Sequence, residues 1–260
     1  MDGIELVLPT ALGVGGATVI GALVGFLFKK PSQKFSDVIL SFAAGVMLCA
    51  AVIGLIVPSI ELNNAKVPIR LLITVGGIML GALALNLIDK LVPHLHKITG
   101  VDTESHPNKT KELNKVLLFI IAIAIHNLPE GIAAGVSFGA GEENISHALV
   151  VAGGIALQNI PEGMVIIAPM ISAGISKKRT FLIALSTGLI EVVGTFIGFF
   201  AASLSYMILP LALAFAGGTM LYVISDEMIP ETHSHGNERI ATYALLVGFA
   251  TMMAFDFLVG

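Results

Sequence analysis

The chain has 260 residues, of which 55% are apolar and 12% are charged, and its mean hydropathy is +0.92. Soluble domains carry about 25% charged residues, so this composition excludes a soluble globular protein and predicts a polytopic membrane protein. The net charge of −4 says little, because the placement of the charges matters more than their sum. The single cysteine, Cys49, excludes an internal disulfide framework and a thiolate cluster.

Eight apolar runs of close to 20 residues follow one another along the chain. Runs of about 20 apolar residues can cross a bilayer as helices, and lipid allows few other structures. The predicted fold is therefore all-α, with one transmembrane domain over residues 1–260. The first run is too long for the apolar part of a signal peptide, so no cleavable signal is expected. The predicted helices are residues 7–28, 38–57, 69–88, 116–138, 148–171, 181–204, 206–224 and 240–259.

The basic residues predict the orientation, because lysine and arginine favour cytoplasmic loops. With the N-terminus outside, every lysine and arginine except Lys66 and Arg70 lies on the cytoplasmic side. Both termini are therefore predicted to be extracytoplasmic. The longest connection, residues 89–114, is expected to be a mobile cytoplasmic loop. Its three histidines fit either a cytosolic metal sensor or an ordinary solvated loop; they are His94, His96 and His106.

Two sequence patterns occur twice. Residues 42–48, FAAGVML, resemble residues 215–221, FAGGTML, and a proline and a glutamate follow each copy. Residues 125–131, IHNLPEG, recur as LQNIPEG at 157–163. Both pairs would lie on helices of opposite direction, which predicts inverted repeats, a frequent plan among secondary transporters. Chance recurrence of small residues could explain the first match but not the second.

The second pattern places polar side chains in the middle of two apolar runs. Within each copy they fall inside an arc of about 100° on the helix, so one cavity can receive all of them. Pro129 and Pro161 each remove a helical hydrogen bond, so we expect a kink and a freed carbonyl oxygen at the same depth. Polar groups at this depth usually face a cavity or an ion path. The candidate ligands are His126, Asn127, Glu130, Gln158, Asn159 and Glu162.

This set of side chains suits a divalent cation. Two carboxylates in the membrane repel each other unless a cation or a proton lies between them. Imidazole with carboxylate favours zinc or a neighbouring transition metal over calcium or magnesium. Amides without thiolates suit transient binding better than a closed structural zinc site. Glu191 in the sixth helix and Met47 in the second are further candidate ligands.

Each candidate also has a structural interpretation when taken alone. His126 would more often be a hydrogen-bonded packing residue, and Met47 a simple core residue. Glu191 could be a buried protonated acid bonded to Thr187 or Ser186. The amide side chains could form hydrogen bonds that hold neighbouring helices together. The convergence of histidine, glutamate and proline, in two copies within the membrane, favours a metal site.

These residues resemble the ZIP family of divalent-metal transporters, which carry an H-N-x-P-E-G motif in the fourth of eight helices and a related motif in the fifth. The resemblance covers essentially the whole chain and implies two metal positions midway through the membrane. The chain departs from a common family pattern at two points, with glutamine at 158 where many members have histidine and asparagine at 159 where some have aspartate. The first position would be formed by His126, Glu130, Gln158, Glu162 and Met47. The second would be formed by Asn127, Asn159 and Glu191, sharing Glu130 and Glu162.

The remaining polar residues can be ordered along a path through the membrane. Glu61 and Asp256 could form an acidic entrance that attracts cations. Each residue of the path also fits a solvated helix end. The residues that could receive the metal on the cytoplasmic side are Asp89, Glu227, Glu231, His233 and His235.

The sequence therefore predicts a transporter, not an enzyme, that imports zinc or a similar metal such as cadmium, iron or manganese into the cytoplasm. The metals are its substrates and no catalytic cofactor is expected. The expected partners are metal ions and the bilayer of a plasma membrane, with a prokaryotic cytoplasmic membrane as the simplest choice. A homodimer is an open possibility, and no nucleic-acid partner is expected.

Two other functions stay open. One is an intramembrane zinc metalloenzyme, although the spacing is His-x-x-x-Glu and not the His-Glu-x-x-His of a metalloprotease. The other is a selective metal-ion channel.

Overall fold

The computed structural model describes residues 4–28, 31–62, 66–98, 124–125, 127–138, 145–172, 174–203 and 208–259. Helices account for nearly all of these residues, which confirms the all-α prediction. Within these ranges, seven helices are long and apolar enough to cross a bilayer. In chain order the helices are α1 Ile4–Gly25, α2 Gln33–Glu61, α3 Val67–Ile98, α4 127–138, α5 Ile145–Ser172, α6 Lys177–Ser203, α7 Leu209–Thr232 and α8 Glu238–Val259.

The predicted boundaries differ most from the structure at α3. The apolar run ends at Ile88, but the helix continues to Ile98. The prediction that a loop begins at residue 89 is therefore wrong, since residues 89–98 are helical. Hydropathy marks where a helix leaves the apolar layer, whereas backbone hydrogen bonds continue into the polar layer beyond it. Residues 99–114, and with them His106, lie outside the described residues.

Two helices widen into π-helical stretches just before a proline. In α2 this stretch is Ala50–Ile56, followed by Pro58, and in α7 it is Ile224–Met228, followed by Pro230. The residue before each proline donates its N–H to the carbonyl five residues back instead of four. A wider turn relieves the clash that a proline ring makes with the preceding turn. The same device therefore follows both copies of the first sequence repeat.

Close helix contacts at glycines follow the same repeat. A Cβ added to Gly45 in α2 would lie 1.9 Å from the carbonyl oxygen of Leu245 in α8. A Cβ added to Gly218, the equivalent residue of α7, would lie 2.3 Å from the carbonyl oxygen of Ile78 in α3. Small residues of this kind let helix backbones touch. The pair α2–α8 is thus repeated as the pair α7–α3.

The second sequence repeat is matched in the same way. A Cβ at Gly131 in α4 would lie 2.2 Å from the carbonyl oxygen of Glu191 in α6. A Cβ at Gly163 in α5 would lie 2.2 Å from the carbonyl oxygen of Thr18 in α1. The pair α4–α6 therefore corresponds to α5–α1, and these contacts confirm the inverted repeats. Helices α1, α2 and α3 correspond to α6, α7 and α8, and α4 corresponds to α5.

These contacts divide the helices into two groups of four. The first group is α1, α4, α5 and α6, and the second is α2, α3, α7 and α8. Most glycines in close contact within a group meet the backbone of a neighbouring helix. At the boundary between the groups they meet side chains instead, as Gly54 of α2 meets Val151 of α5 and Gly154 of α5 meets Met252 of α8. Side chains therefore separate the helix backbones at these boundary positions.

Two apolar clefts lie where the groups meet. One has a volume of 670 Å³ and is lined by α3, α4, α6 and α7, with Pro129 and Phe215 among its walls. The other has a volume of 480 Å³ and is lined by α2, α5 and α8, with Pro161 and Phe42 at the equivalent positions. The inverted repeat thus relates the two clefts to each other.

We expect a single methyl group at Gly45 to disrupt the packing of α2 on α8. Gly45→Ala forces the two backbones apart, and such overpacking costs about 1–3 kcal/mol. Gly76→Ala in α3 is the matched control, since a Cβ there has nothing within 4 Å. The single cysteine, Cys49, is buried, so a fluorogenic thiol-reactive dye reports thermal unfolding of both variants. Equal melting temperatures for the two would contradict the close packing.

Candidate metal centre

The polar residues of the doubled motif are buried between α4, α5 and α6. The exposed fractions of Asn127, Gln158 and Asn159 are 1%, 0% and 1%, and both Glu130 and Glu191 are fully buried. Glu162, which corresponds to Glu130, is half-buried. The structure therefore brings together six of the predicted site residues on the first helix group. His126 lies outside the described residues.

Glu191 is the centre of a hydrogen-bond network. Thr18 Oγ1 donates to Glu191 Oε1 over 2.6 Å, and Asn127 Nδ2 donates to the same oxygen. Asn159 Nδ2 donates to Glu191 Oε2 over 2.5 Å and lies 3.2 Å from the carbonyl oxygen of Val14. The network joins α6 to α1, α4 and α5, that is, to every other helix of the first group. The network gives each asparagine nitrogen a hydrogen-bond acceptor but gives the asparagine oxygens no donor.

Several oxygens around this network are buried without a hydrogen-bond partner. Because both asparagine nitrogens face Glu191, the oxygens of the same amides have no hydrogen bond, and the two carboxylate oxygens of Glu130 and the amide of Gln158 have none either. An unpaired buried polar group costs about 1–3 kcal/mol, and more if it is charged. A bound cation can take the place of the missing hydrogen-bond donors, because it interacts favourably with several acceptor oxygens at once. The unpartnered oxygens are Asn127 Oδ1, Glu130 Oε1, Glu130 Oε2, Gln158 Oε1 and Asn159 Oδ1.

The two motif prolines do not interrupt their helices. α5 is helical through Pro161, and α4 is helical through Pro129. Pro161 is not preceded by a π-helical stretch like those of α2 and α7. The kinks and freed carbonyl oxygens expected from the sequence stay a prediction. What the structure adds is that both prolines face the clefts between the two helix groups.

Met47 comes from the second helix group. It is fully buried in the apolar core, in a cluster that contains residues of both helix groups. This position fits both interpretations of Met47, as a packing residue and as a thioether ligand.

Sequence reasoning missed Thr18, although a third repeat could have revealed it. Residues 15–21, GGATVIG, match residues 188–194, GLIEVVG, with glycine at both ends and Thr18 in the place of Glu191. The first glycines of the two segments touch, since a Cβ at Gly15 would lie 2.3 Å from the carbonyl oxygen of Gly188. Threonines are common in membrane helices, so Thr18 alone carried no signal.

Asp37, near the start of α2, was also missed. Its side chain is 2% exposed. Its carboxylate accepts hydrogen bonds from Gln33 Nε2 at 3.1 Å and Asn237 Nδ2 at 2.8 Å, and it lies 3.1 Å from His235 Nδ1. Asp37 therefore fastens α2 to the turn between α7 and α8. One buried aspartate at the start of a helix gives little indication of this partnership, which depends on residues 200 positions away.

The predicted exit residues are only partly brought together. His235 Nε2 lies 3.9 Å from Glu231 Oε1. His233 lies 2.9 Å from the carbonyl oxygen of Ile229 and 3.1 Å from the hydroxyl of Thr242, so both of its ring nitrogens are in contact with the protein. Glu227 is half-buried, and the side chain of Asp89 is not described. In the part of the chain that is described, no group of three His, Cys, Asp or Glu residues could hold a metal ion.

The predicted entrance residues lie near the ends of their helices. Glu61 is the last residue of α2 and is exposed. Asp256 is half-buried near the end of α8. Of the loop histidines, His94 and His96 lie in the final turns of α3, where side chains are not described. The roles proposed for all these residues stay predictions.

A bundle of helices that are long and apolar enough to cross a bilayer defines an integral membrane protein. The family described as ZIP Zinc transporter matches residues 99–256. Zinc transporter GufA of Myxococcus xanthus is 40% identical over 256 residues, which cover 97% of this chain and 98% of that protein. Zinc transporter ZIPB of Bordetella bronchiseptica is 36% identical over 253 residues, covering 94% and 78%. Zinc transporter ZIP11 of Xenopus tropicalis is 30% identical over 331 residues, covering 98% of each chain.

The chain belongs to the ZIP zinc transporter family. It is a divalent-metal transporter, and the family resemblance noted in the sequence is confirmed.

We expect loss of the Asp37 carboxylate to destabilise the second helix group. Asp37→Ala removes the acceptor that Gln33 and Asn237 share, and a hydrogen bond to a charged group contributes about 1.5–3 kcal/mol. Glu231→Ala is the control, because the Glu231 side chain is 61% exposed and contributes little to stability. Thermal unfolding followed through Cys49 compares the two variants. A melting temperature of Asp37→Ala equal to that of the control would show that the buried contact is not structural.

Proposed function

We propose that the chain imports zinc into the cytoplasm, with cadmium, iron(II) and manganese(II) as further substrates. The observation that carries this proposal is the set of buried, unpartnered oxygens from Asn127, Glu130, Gln158 and Asn159. A cation with a preference for mixed nitrogen and oxygen ligands satisfies these oxygens together with the imidazole of His126. The names of the similar proteins, all zinc transporters, support zinc as the substrate.

We propose that the metal binds between α4 and α5. Its ligands come from the doubled motif and from α2: His126, Asn127, Glu130, Gln158, Asn159, Glu162 and Met47. Glu191 of α6 belongs to the same centre, where it accepts hydrogen bonds from the two asparagines. Two carboxylates of the motif give the centre the negative charge that a divalent ion needs. The amides and the thioether bind weakly, which allows release.

The metal centre would open alternately to the two sides as one helix group rocks against the other. The packing supports this mechanism in two ways. Within each group, helix backbones touch at glycines, so each group can move as a unit. Between the groups, side chains and two apolar clefts form the boundary, where sliding breaks few specific contacts. All polar members of the centre belong to the first group, while Met47 belongs to the second.

The direction of transport follows from the predicted orientation, with both termini outside. Glu61 and Asp256 would then lie at the entrance, and Asp89, Glu227, Glu231, His233 and His235 at the exit. Release into the cytoplasm would be coupled to protonation of Glu130 and Glu162, because carboxylates bind metal only when ionised. The proposed location is the plasma membrane, in the simplest case a prokaryotic cytoplasmic membrane, and a homodimer is the proposed assembly.

We expect Glu130→Ala and Glu162→Ala to abolish zinc uptake into proteoliposomes while leaving membrane insertion intact. Each change removes a charged oxygen ligand from the centre. Glu238→Ala, at an exposed position near the start of α8, is the matched control and should transport as wild type. Uptake at the wild-type rate in both motif variants would refute the site.

The same liposomes separate the transporter from the two alternatives. A carrier gives saturable uptake, whereas a channel gives flux that does not saturate and is far faster. A metalloenzyme would bind zinc without moving it and would cleave a substrate in the purified state. Saturable uptake that is lost in Glu130→Ala supports the proposed function against both.

A further inference from the structure

Among the described residues, the donors that surround the carboxyl group of Glu191 are neutral. An ionised carboxylate offers about four lone-pair sites, and three of them are taken by Thr18 Oγ1, Asn127 Nδ2 and Asn159 Nδ2. The three donors come from three different helices and are buried with it. A carboxylate held in this way does not require a cation beside it, unlike Glu130, whose two oxygens have no hydrogen bond.

The network also decides which way the two asparagines face. The nitrogen of an amide donates to a carboxylate, and with both nitrogens on Glu191 the oxygens of Asn127 and Asn159 point away from it. Those oxygens are buried and have no hydrogen-bond partner. Glu191 therefore presents two ligand oxygens without being a ligand itself.

Residue 159 determines whether this network can form. Asn159 Nδ2 lies 2.5 Å from Glu191 Oε2. An aspartate in its place would set a second carboxylate oxygen at that position, and two carboxylates so close need a cation or a proton between them. Asparagine at 159 thus gives Glu191 a hydrogen-bond donor from the protein itself. Aspartate at 159 would instead require a further cation or proton between the two carboxylates.

We propose that the network of Thr18, Asn127, Asn159 and Glu191 takes the place of a second metal ion, so that each chain binds one zinc ion. Glu191 is a positioning residue in this centre. The proposal rests on the proposed function, since it concerns the number of ions at the same site. It names Asn159 as the residue that sets this number.

The test is the stoichiometry of zinc binding to the full-length chain in lipid nanodiscs. Equilibrium dialysis against zinc chloride, with metal measured by mass spectrometry, gives the number of ions for each chain. We expect one ion in the wild type, two in Asn159→Asp, and one again in the double variant Asn159→Asp with Glu191→Gln. Two ions in the wild type would overturn the proposal, even if the Asn159→Asp variant fails to insert.

Single variants distinguish positioning from direct binding. Thr18→Val keeps the shape of the side chain but removes a donor, and Glu191→Gln removes the charge that orients the amides. Loss of such supporting contacts weakens metal affinity by about 10- to 100-fold. We expect both variants to bind one zinc ion with a dissociation constant raised in this range. Stoichiometry that falls from one to zero in Glu191→Gln, with folding intact, would make Glu191 a ligand and overturn its assignment.

Different results would refute the proposed metal site and the proposed binding of one ion. If the wild type binds no zinc, or if Glu130→Ala binds it unchanged, the proposed site is wrong and this proposal falls with it. If the wild type binds two ions and transports zinc, the proposed function stands and only the single-ion centre is lost.

Discussion

A buried carboxylate in a membrane protein must be satisfied from within, because lipid supplies no donors. In this chain the requirement is concentrated at Glu191. Its hydrogen bonds to Thr18, Asn127 and Asn159 connect α6 to the other three helices of its group. The same bonds fix the direction of the amides that face the metal centre. The same three hydrogen bonds therefore join the helices of the first group and orient two side chains of the candidate site.

The second constraint is the close approach of helix backbones. Hydrophobic association gives little driving force between helices that are already in lipid, so packing and polar contacts must hold them together. Glycines provide this packing inside each group, at Gly45 and Gly218 in one and at Gly131 and Gly163 in the other. At the boundary between the groups, larger side chains and the two clefts replace these contacts. The chain thus combines two groups in which helix backbones touch with a boundary at which side chains separate the backbones.

The sequence predicted the all-α fold, and seven of its eight spans are found among the described residues, because apolar length alone determines which segments cross a bilayer. Helical periodicity also placed Asn127 and Glu130 on one face, and both side chains are buried. Sequence reasoning missed the extension of α3 to Ile98, because hydropathy does not report where backbone hydrogen bonds end.

Contacts between residues far apart in the sequence were the other feature that sequence patterns could not predict. Thr18 and Asp37 gain their roles from partners 173 and 200 residues away, and single polar residues give no sign of such partners. The π-helical stretches of α2 and α7 were equally hidden, since a proline within a helix can be accommodated by a kink, by a wider turn or, as in α5, without either. The division into two groups depends on which glycines meet backbone and which meet side chains. Only the three-dimensional structure distinguishes these cases.

Thr18 and Glu191 occupy equivalent places in the two repeats, close to the contact of Gly15 with Gly188 where the repeats meet. In an assembly of two identical repeat chains, the residue at this place would face its own copy. Two glutamates would repel, and two threonines would give no anion to orient the asparagines. Joining both halves in one polypeptide removes that restriction, because each half can carry a different residue, a donor in one and an acceptor in the other. The asymmetry of a single pair thus gives a nearly symmetric scaffold a function that exact symmetry would forbid.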